Sequence, residues 1–471
     1  MFIAYLKNSW IFILLLVALS IFFFSNSSLF YPIFIQHIDS QVYIHTAHEI
    51  LSGKILYKDI FDHKGPTMHI LECLGFWLST KNFNGIWWVQ LCVFLIGVLP
   101  LLFLLKQKGG VLITLGSFIV FLSWIYRFNR IGDNIPEMYA IGFVSLYFYY
   151  FLHLIEQDSI IKSHLIGIGI VSILLAFLKL NFAIVLFPSF IFLIYKTFSR
   201  TKNFKFLLWI FVGVLIIFIP IFLYFSFHHA IKDAFYAIWL FNLNYVSNQT
   251  ISFFKSIKEI ISFQIYFILF LFVSIIFKII FSKKEIAVWV ILLTSLLLGI
   301  LVLVGLSGRG ADSIHYMIPV APIVFLLFFY SINSIQKSLM YFFLIGVLYF
   351  FKPVVLHYFD KKTTDNPYKN IVSYLNSHKS ENETLCVLGN LSCLYEMTNM
   401  SCNTPYFYTY PILADEHSYI YNQFFTHFKN VKANWIVLQT LYPSLKNENE
   451  ILKDYTLLNT FGNEKLFKLK K

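Results

Sequence analysis

Ionisable side chains are concentrated in one short stretch of an otherwise apolar chain. The segment 57–66 reads YKDIFDHKGP, and Asp39 lies upstream of it, soon after the first long apolar run. Carboxylates can accept protons, and ammonium and imidazole groups can hold an anion such as a phosphate. The residue types therefore predict chemistry at a membrane surface, with Asp62, His63 and Lys64 as candidate substrate contacts.

Two helices are expected to present these groups. After Asp39, apolar residues recur at helical spacing up to Leu51, and Gly53 suits a C-terminal cap. Pro66 suits the first residue of a second helix, which would run to about residue 79. Aspartate is also a preferred helix N-cap, so Asp39 has a structural reading beside a chemical one.

The composition assigns the rest of the chain to the membrane. Hydrophobic residues make up 58% and charged residues 13%, with a mean hydropathy of +0.71, whereas soluble domains average about 25% charged residues. We predict an α-helical polytopic membrane protein with about eleven spans, since about 20 apolar residues cross a bilayer. The predicted spans are 10–31, 87–105, 110–126, 136–155, 165–180, 182–196, 206–226, 261–281, 286–306, 315–332 and 338–356.

The short loops predict the orientation of these spans. Their basic residues fall on one side if the N-terminus is cytoplasmic, as the positive-inside rule requires. These residues are Lys106, Lys108, Lys196, Arg200, Lys202, Lys205, Lys278, Lys283, Lys284 and Lys337. The net charge of +12 is then partly explained by the basic residues that set the orientation of the spans. It does not indicate nucleic-acid binding, because the sequence shows no basic patch with interleaved aromatic residues on a soluble module.

The chain divides near residue 357. We predict a transmembrane catalytic part over 1–356, with its first external loop at 32–86, and a small external α/β domain over 357–471. Helices are expected over 368–377 and 421–428, and buried strands over 384–388 and 435–439. The aromatic run at 406–411 suits a core cluster better than a sugar-stacking surface.

The cysteines and histidines leave alternatives open. Cys386, Cys393 and Cys402 either include one disulfide, as an oxidising compartment permits, or are free buried thiols. His45 and His48 share part of a helix face, but their spacing does not match a zinc motif. Solvated histidines are the simpler reading of that face.

Further motifs make the chain resemble a known family. The early aspartate, the two loop helices, the segment 57–66 and the many spans before an external tail look like bacterial members of the glycosyltransferase C superfamily. These membrane enzymes use polyprenyl-phosphate-linked sugars and include protein mannosyltransferases and lipid A aminoarabinose transferases. The segment 132–137, GDNIPE, resembles a G-x-N-x-x-E motif of that family, and Arg309, His315, Tyr316 and Pro319 resemble its R…HY…P signature.

The resemblance implies roles for individual residues. Asp39 is the expected general base, and Glu137 the matching second acid, with Asp133 as a further acid or metal contact. Lys179, late in the fifth predicted span, matches a lysine of the family, and it either faces a wet cavity or extends to the membrane surface. The expected phosphate-binding set is Lys179, Arg309, His315 and Tyr316.

The implied reaction is inverting transfer of a sugar from a polyprenyl-phosphate donor to a lipid, glycan or protein acceptor. It would take place at the external face of the bacterial inner membrane, among membrane lipids. Carboxylates would suit Mg²⁺ or Mn²⁺ if a metal takes part. The alternatives are a transporter or flippase of lipid-linked glycans, which would favour inverted repeats, and an O-antigen ligase or polymerase, whose key loop normally lies late in the chain.

Overall fold

A computed structural model describes most of the chain. The described residues are 9–24, 38–79, 84–126, 134–157, 160–243, 255, 258, 286–305, 310–332, 368–409, 419–441 and 447–470. The helices up to residue 332 are α1 (Ser9–Phe24), α2 (Ile38–Leu51), α3 (Pro66–Leu78), α4 (Asn84–Tyr126), α5 (Pro136–Glu156), α6 (Lys162–Leu178), α7 (Leu180–Ile184), α8 (Phe187–Thr201), α9 (Lys205–Phe227), α10 (Ile231–Phe235), α11 (Ile286–Gly299) and α12 (Ala321–Ile332). Two π-helical turns, Tyr236–Leu240 and Ile300–Gly305, and a 3₁₀ helix, Gly310–Val320, complete this part.

Several of these helices are long and apolar enough to cross a membrane. Within the described residues, four reach that length, at Asn84–Leu122, Pro136–Glu156, Lys205–Phe227 and Ile286–Leu303. Shorter apolar helices occur at Phe12–Ile21, Lys162–Leu178 and His315–Ser331. The prediction of a multi-pass, mainly helical membrane protein is confirmed. The count of eleven spans stays a prediction, because the spans at 261–281 and 338–356 lie outside the described residues.

Glycines bring the long helices into close contact. A Cβ at Gly97 of α4 would lie 1.8 Å from the carbonyl oxygen of Gly142 in α5, and a Cβ at Gly142 would lie 2.3 Å from the Val93 oxygen. Small residues permit this approach because transmembrane helices associate largely through van der Waals packing. The tight contact fixes the position of the first turn of α5, which carries Glu137.

The first loop folds as the sequence predicts. Helix α2 ends just before Gly53, whose φ of +104° is accessible to glycine, and the Gly53 amide donates to the Ile50 carbonyl at 3.0 Å. Pro66 is the first residue of α3, and Ser79 follows its last turn. Asp39 lies in the first turn of α2 and is exposed.

The C-terminal part contains α13 (Lys369–His378), α14 (Cys393–Thr398), α15 (Tyr419–Asn430) and α16 (Glu448–Leu452), with four strands. The strands are β1 (Leu385–Leu388), β2 (Trp435–Gln439), β3 (Tyr455–Phe461) and β4 (Glu464–Leu469). Their order is β1-β2-β4-β3; β1 and β2 are parallel, and the β2–β4 and β4–β3 pairs are antiparallel. The predicted helices and buried strands are present. The pattern missed β3 and β4, whose side chains are largely half-buried or exposed.

The same part settles the reading of its cysteines. Cys386, Cys393 and Cys402 are free and buried in the structure. Cys386 and Cys402 belong to different apolar clusters, so they contribute to packing as separate thiols. Their burial raises the pKa of all three, which makes them poor nucleophiles.

Candidate active site

A cavity of about 290 Å³ lies between the first loop, the helical bundle and the C-terminal part. It is lined by most of the residues that the sequence singled out. They are Asp39, Asp62, His63, Lys64, Glu137, Lys179, His315 and Tyr316. The structure thus brings together side chains more than 270 positions apart in sequence, while their chemical roles stay predictions. Asp133 and Arg309, also expected here, lie outside the described residues.

Each polar side chain enters the cavity from an element end or a loop. Asp39 starts α2, Glu137 is in the first turn of α5, and Lys179 adopts extended backbone between α6 and α7. Helix α6, which corresponds to the predicted span 165–180, ends at Leu178, so Lys179 follows the helix instead of lying within it. Gly65 draws the first loop against α6, because a Cβ at Gly65 would lie 1.9 Å from the Phe177 carbonyl oxygen.

Lys179 faces the cavity and is paired with an acid. Its Nζ lies 3.1 Å from Oε1 of the buried Glu137 and 3.5 Å from the centre of the Tyr316 ring. An ammonium group held by a carboxylate and an aromatic face is fixed in direction. Of the two readings of this lysine, the wet cavity agrees with the geometry.

Asp62 is the most enclosed acid of the site. Its Oδ1 accepts the His63 backbone amide at 2.7 Å and the Tyr408 hydroxyl at 3.1 Å, and His69 Nε2 lies 3.1 Å from Oδ2. Burial alone would raise the pKa of this carboxyl, but the Lys64 charge and the contacts with His63 and His69 hold the pKa well below its usual range. Asp62 is therefore a fixed negative charge in the cavity wall.

The loop around Asp62 is held by hydrogen bonds from several directions. The Tyr57 hydroxyl donates to the Lys64 carbonyl at 2.6 Å, and the Asn242 amide donates to the His63 carbonyl at 2.9 Å. The Lys64 ammonium contacts His63 Nε2 at 2.7 Å and lies 5.7 Å from the centre of the Tyr43 ring. The cation next to Asp62 is thus set in place by the loop that carries it.

Much of the cavity lining is apolar. The apolar lining residues are Ile38, Val42, Ala176, Leu180, Ile184, Ile238, Trp239, Leu243 and Val302. Two of these side chains are exposed, since Leu243 is 65% and Trp239 42% exposed. An amphipathic ligand with an anionic head and a long hydrocarbon tail would match this mixture of polar and apolar side chains.

The histidine face of α2 is largely covered by the C-terminal part, whereas the sequence predicted a solvated face, and the His48 side chain stays 42% exposed. His45 is 1% exposed and is stacked on Tyr395, and both His45 and His48 direct Nδ1 at Glu396 of α14, at 2.9 and 2.8 Å. Burial opposes ionisation of Glu396, but hydrogen bonds from the two histidines lower its pKa to about 2. We call this contact, made by His45, His48 and Glu396, the histidine clasp.

The donor set for a metal is weak. Among the residues that the structure describes, no group of three or more His, Cys, Asp and Glu side chains could hold a metal ion. Glu137 is paired with Lys179, and Asp62 with histidines and Lys64. The described carboxylates of the cavity therefore do not form a ligand set that suits Mg²⁺ or Mn²⁺.

Sequence reasoning missed residues that complete the site. Tyr408 and Phe407 are buried, as predicted for the aromatic run, but Tyr408 also lines the cavity. Asn242 joins the cavity lining from just after the π-helical stretch, and Glu396 of the C-terminal part contacts the helix that carries Asp39. Neither stands in a motif, and only their distance from the loop in three dimensions identifies them.

Comparisons with known proteins identify the fold. The chain is similar to ArnT from Cupriavidus metallidurans: the crystal structure bound to undecaprenyl phosphate has a TM-score of 0.67 at 11% identity, and the apo structure 0.63 at 12%. Each comparison covers 98% of both chains. Models of known protein families and curated protein sequences gave no match.

Proposed function

We propose that this protein transfers a sugar from a polyprenyl-phosphate-linked donor to an acceptor hydroxyl or amine. The observation that carries the proposal is the mixed lining of the cavity: cations and acids converge on it, and apolar side chains, some of them exposed, line the rest. The undecaprenyl phosphate in the similar ArnT structure is a ligand of that chemistry. The fold supports the same reaction class.

Asp39 is the general base in this proposal. It is exposed at the cavity edge, so an acceptor can reach it, and it removes the acceptor proton as the new bond to the anomeric carbon forms. The bond from that carbon to the phosphate oxygen breaks, and the phosphate leaves with the electron pair. Attack from the face opposite the phosphate inverts the anomeric carbon.

The cations of the cavity stabilise the leaving phosphate. Lys179 and His315 supply positive charge and Tyr316 shapes the surface around Lys179, while Arg309 is proposed to join them. Glu137 directs the Lys179 ammonium through the 3.1 Å contact. Lys64 and His63 present further cationic or donor groups from the first loop.

The membrane setting follows from the same proposal. The apolar lining residues would contact an isoprenoid chain that enters sideways from the bilayer, while the phosphate meets the charged lining residues. We propose that the first loop and the C-terminal part lie on the external face of the bacterial inner membrane, with a cytoplasmic N-terminus.

The test is Asp39→Asn, measured in membranes with matched expression and a lipid donor extracted from the source cells. We expect loss of sugar transfer by about 10²- to 10⁴-fold, the range of general-base catalysis, with retained binding of undecaprenyl phosphate. Asp59→Asn is the matched control, because Asp59 accepts the Ile55 amide at 2.9 Å without lining the cavity and asparagine can accept the same bond.

Transfer that survives in Asp39→Asn would remove Asp39 as the base. Movement of a lipid-linked glycan across vesicles without cleavage of the sugar–phosphate bond would instead support a flippase and reject the enzyme. Membranes from Lys179→Ala should lose affinity for undecaprenyl phosphate, and unchanged affinity would reject the phosphate-binding role.

A further inference from the structure

A short segment of the C-terminal part is packed along the first loop. The Phe61 amide donates to the Pro405 carbonyl at 2.9 Å, and the Lys54 ammonium donates to the Cys402 carbonyl at 3.0 Å. The Tyr406 ring lies 5.6 Å from the Phe61 ring. This segment, 402–409, therefore follows the loop that carries the cations of the cavity.

Tyr408 is the residue of this segment that reaches the cavity. It is 5% exposed, and its hydroxyl donates to Asp62 Oδ1 at 3.1 Å. Its neighbour Phe407 packs on His45 with ring centres 4.7 Å apart, and the Phe407 carbonyl accepts the Tyr395 hydroxyl at 3.0 Å. The backbone beside Tyr408 is thus held from both sides, which directs the phenol at Asp62.

Asp62 links the Tyr408 hydroxyl to the neighbouring residues His63 and Lys64. The same Oδ1 that accepts the Tyr408 hydroxyl also accepts the His63 amide, and the Asp62 charge acts on the adjoining Lys64. An enclosed carboxylate with several donors has one favourable orientation, and removing a donor leaves it freer to turn. The direction of His63 and Lys64 then changes with it.

We propose that Tyr408 is a positioning residue of the C-terminal part that acts through Asp62 on His63 and Lys64, and so sets the affinity of the cavity for a lipid-borne phosphate. The identity of the ligand rests on the proposed function. The C-terminal part is then a component of the substrate site, because its Tyr408 lines the cavity beside the first loop.

Tyr408→Phe tests this role because it removes the hydroxyl and keeps the ring. The probe is undecaprenyl phosphate in detergent micelles, with binding followed by tryptophan fluorescence, since Trp239 lines the cavity. We expect about tenfold weaker binding, the effect of one hydrogen bond to a charged group. The matched control is Tyr406→Phe, in the same segment but outside the cavity lining, which should bind as the unmodified protein does.

Two readouts separate positioning from packing. The ³¹P resonance of the bound phosphate should shift in Tyr408→Phe and stay in place in Tyr406→Phe. In an Asp62→Asn background the Tyr408→Phe change should have little further effect, because both substitutions interrupt the same contact. Equal affinity and an unchanged ³¹P resonance in Tyr408→Phe would overturn the inference.

The proposed function fails in a different way. If the unmodified protein does not bind undecaprenyl phosphate at all, the donor assignment is wrong. If it binds, and Tyr408→Phe binds equally well, only the role of Tyr408 is rejected.

Discussion

The histidine clasp predicts how firmly the C-terminal part is docked on the helix that carries Asp39. Glu396 of α14 is buried between His45 and His48 of α2, and the Cys393 amide donates to Gln41 of the same helix at 3.2 Å. Glu396→Gln removes the charge and keeps the size of the side chain. We expect the two helices to separate more often in this variant.

The size of the effect follows from the carboxyl group. Lowering the Glu396 pKa from 4.5 to about 2 corresponds to about 3 kcal/mol in favour of the docked state, since each pKa unit is worth about 1.4 kcal/mol. This free energy is an upper limit for the whole contact. The raised His48 pKa comes from the same ion pair with Glu396, so its contribution must not be added a second time. Opening of the docked state should therefore become up to about 300-fold more frequent, a factor of 10 for each of the 2.5 pKa units.

The stability of the docked state should depend on pH through two groups, Glu396 and His48. The lowered Glu396 pKa adds stability that is complete above pH 4.5 and is lost as the pH falls towards about 2. The raised His48 pKa, caused by its hydrogen bond to Glu396, adds stability that is complete below pH 6.5 and is lost as the pH rises through the raised value. Docking should be strongest between about pH 4.5 and 6.5.

Hydrogen exchange measured by mass spectrometry in detergent would test both points. Peptides from 38–51 and 393–409 should exchange faster in Glu396→Gln than in the unmodified protein, and faster at pH 8.5 than at pH 6 after correction for the intrinsic rate. Glu381→Gln is the control, because Glu381 is exposed in the same part of the chain. Equal protection in both variants, or protection that increases towards pH 8.5, would refute the reasoning.

Two further predictions concern stability. Burial raises the pKa of Glu72 to about 7 against the opposing hydrogen bonds from Asn134 and Tyr139, so the free energy of unfolding should decrease as the pH rises from 4.5 to above 7, and the decrease should be smaller in Glu72→Gln. Thermal unfolding from pH 5 to 8 checks this, and parallel curves for the two proteins would contradict it. Gly97→Ala places a methyl group 1.8 Å from the Gly142 oxygen and should lower the free energy of unfolding by about 1–3 kcal/mol, whereas Ile96→Ala, at a side chain 62% exposed, should change it much less. If Gly97→Ala has a thermal-unfolding midpoint as high as that of Ile96→Ala, α4 and α5 can move apart to fit the methyl group without loss of stability, and the prediction is wrong.

Local patterns were sufficient for the elements that carry the first loop. Gly53 and Pro66 each impose a backbone geometry that does not depend on the rest of the fold, so the end of α2 and the start of α3 were predictable. The predicted spans 87–105 and 110–126 are separated in the structure as well, because the helical backbone of α4 is broken at Gly110, where φ is +79°. A positive φ is accessible to glycine at little cost, so the residue type indicated this break.

The histidines of α2 show the limit of local patterns. His45 and His48 stand on a polar helix face, which the sequence presents as a solvated surface. Whether such a face meets water depends on what else packs there, and Glu396 comes from a region about 350 residues further along the chain. Spacing within one helix carries no information about that partner.

The sequence by itself determined the membrane class, the helices of the first loop, and the kinds of side chain available for chemistry, because composition and short-range geometry depend on neighbouring residues alone. The tertiary structure decided that Lys179 is paired with Glu137, that Asp62 is enclosed, and that Tyr408 reaches the cavity. These contacts join segments far apart in the chain. They arise only when the helices and the C-terminal part pack together, since burial and ion pairing depend on distances in space.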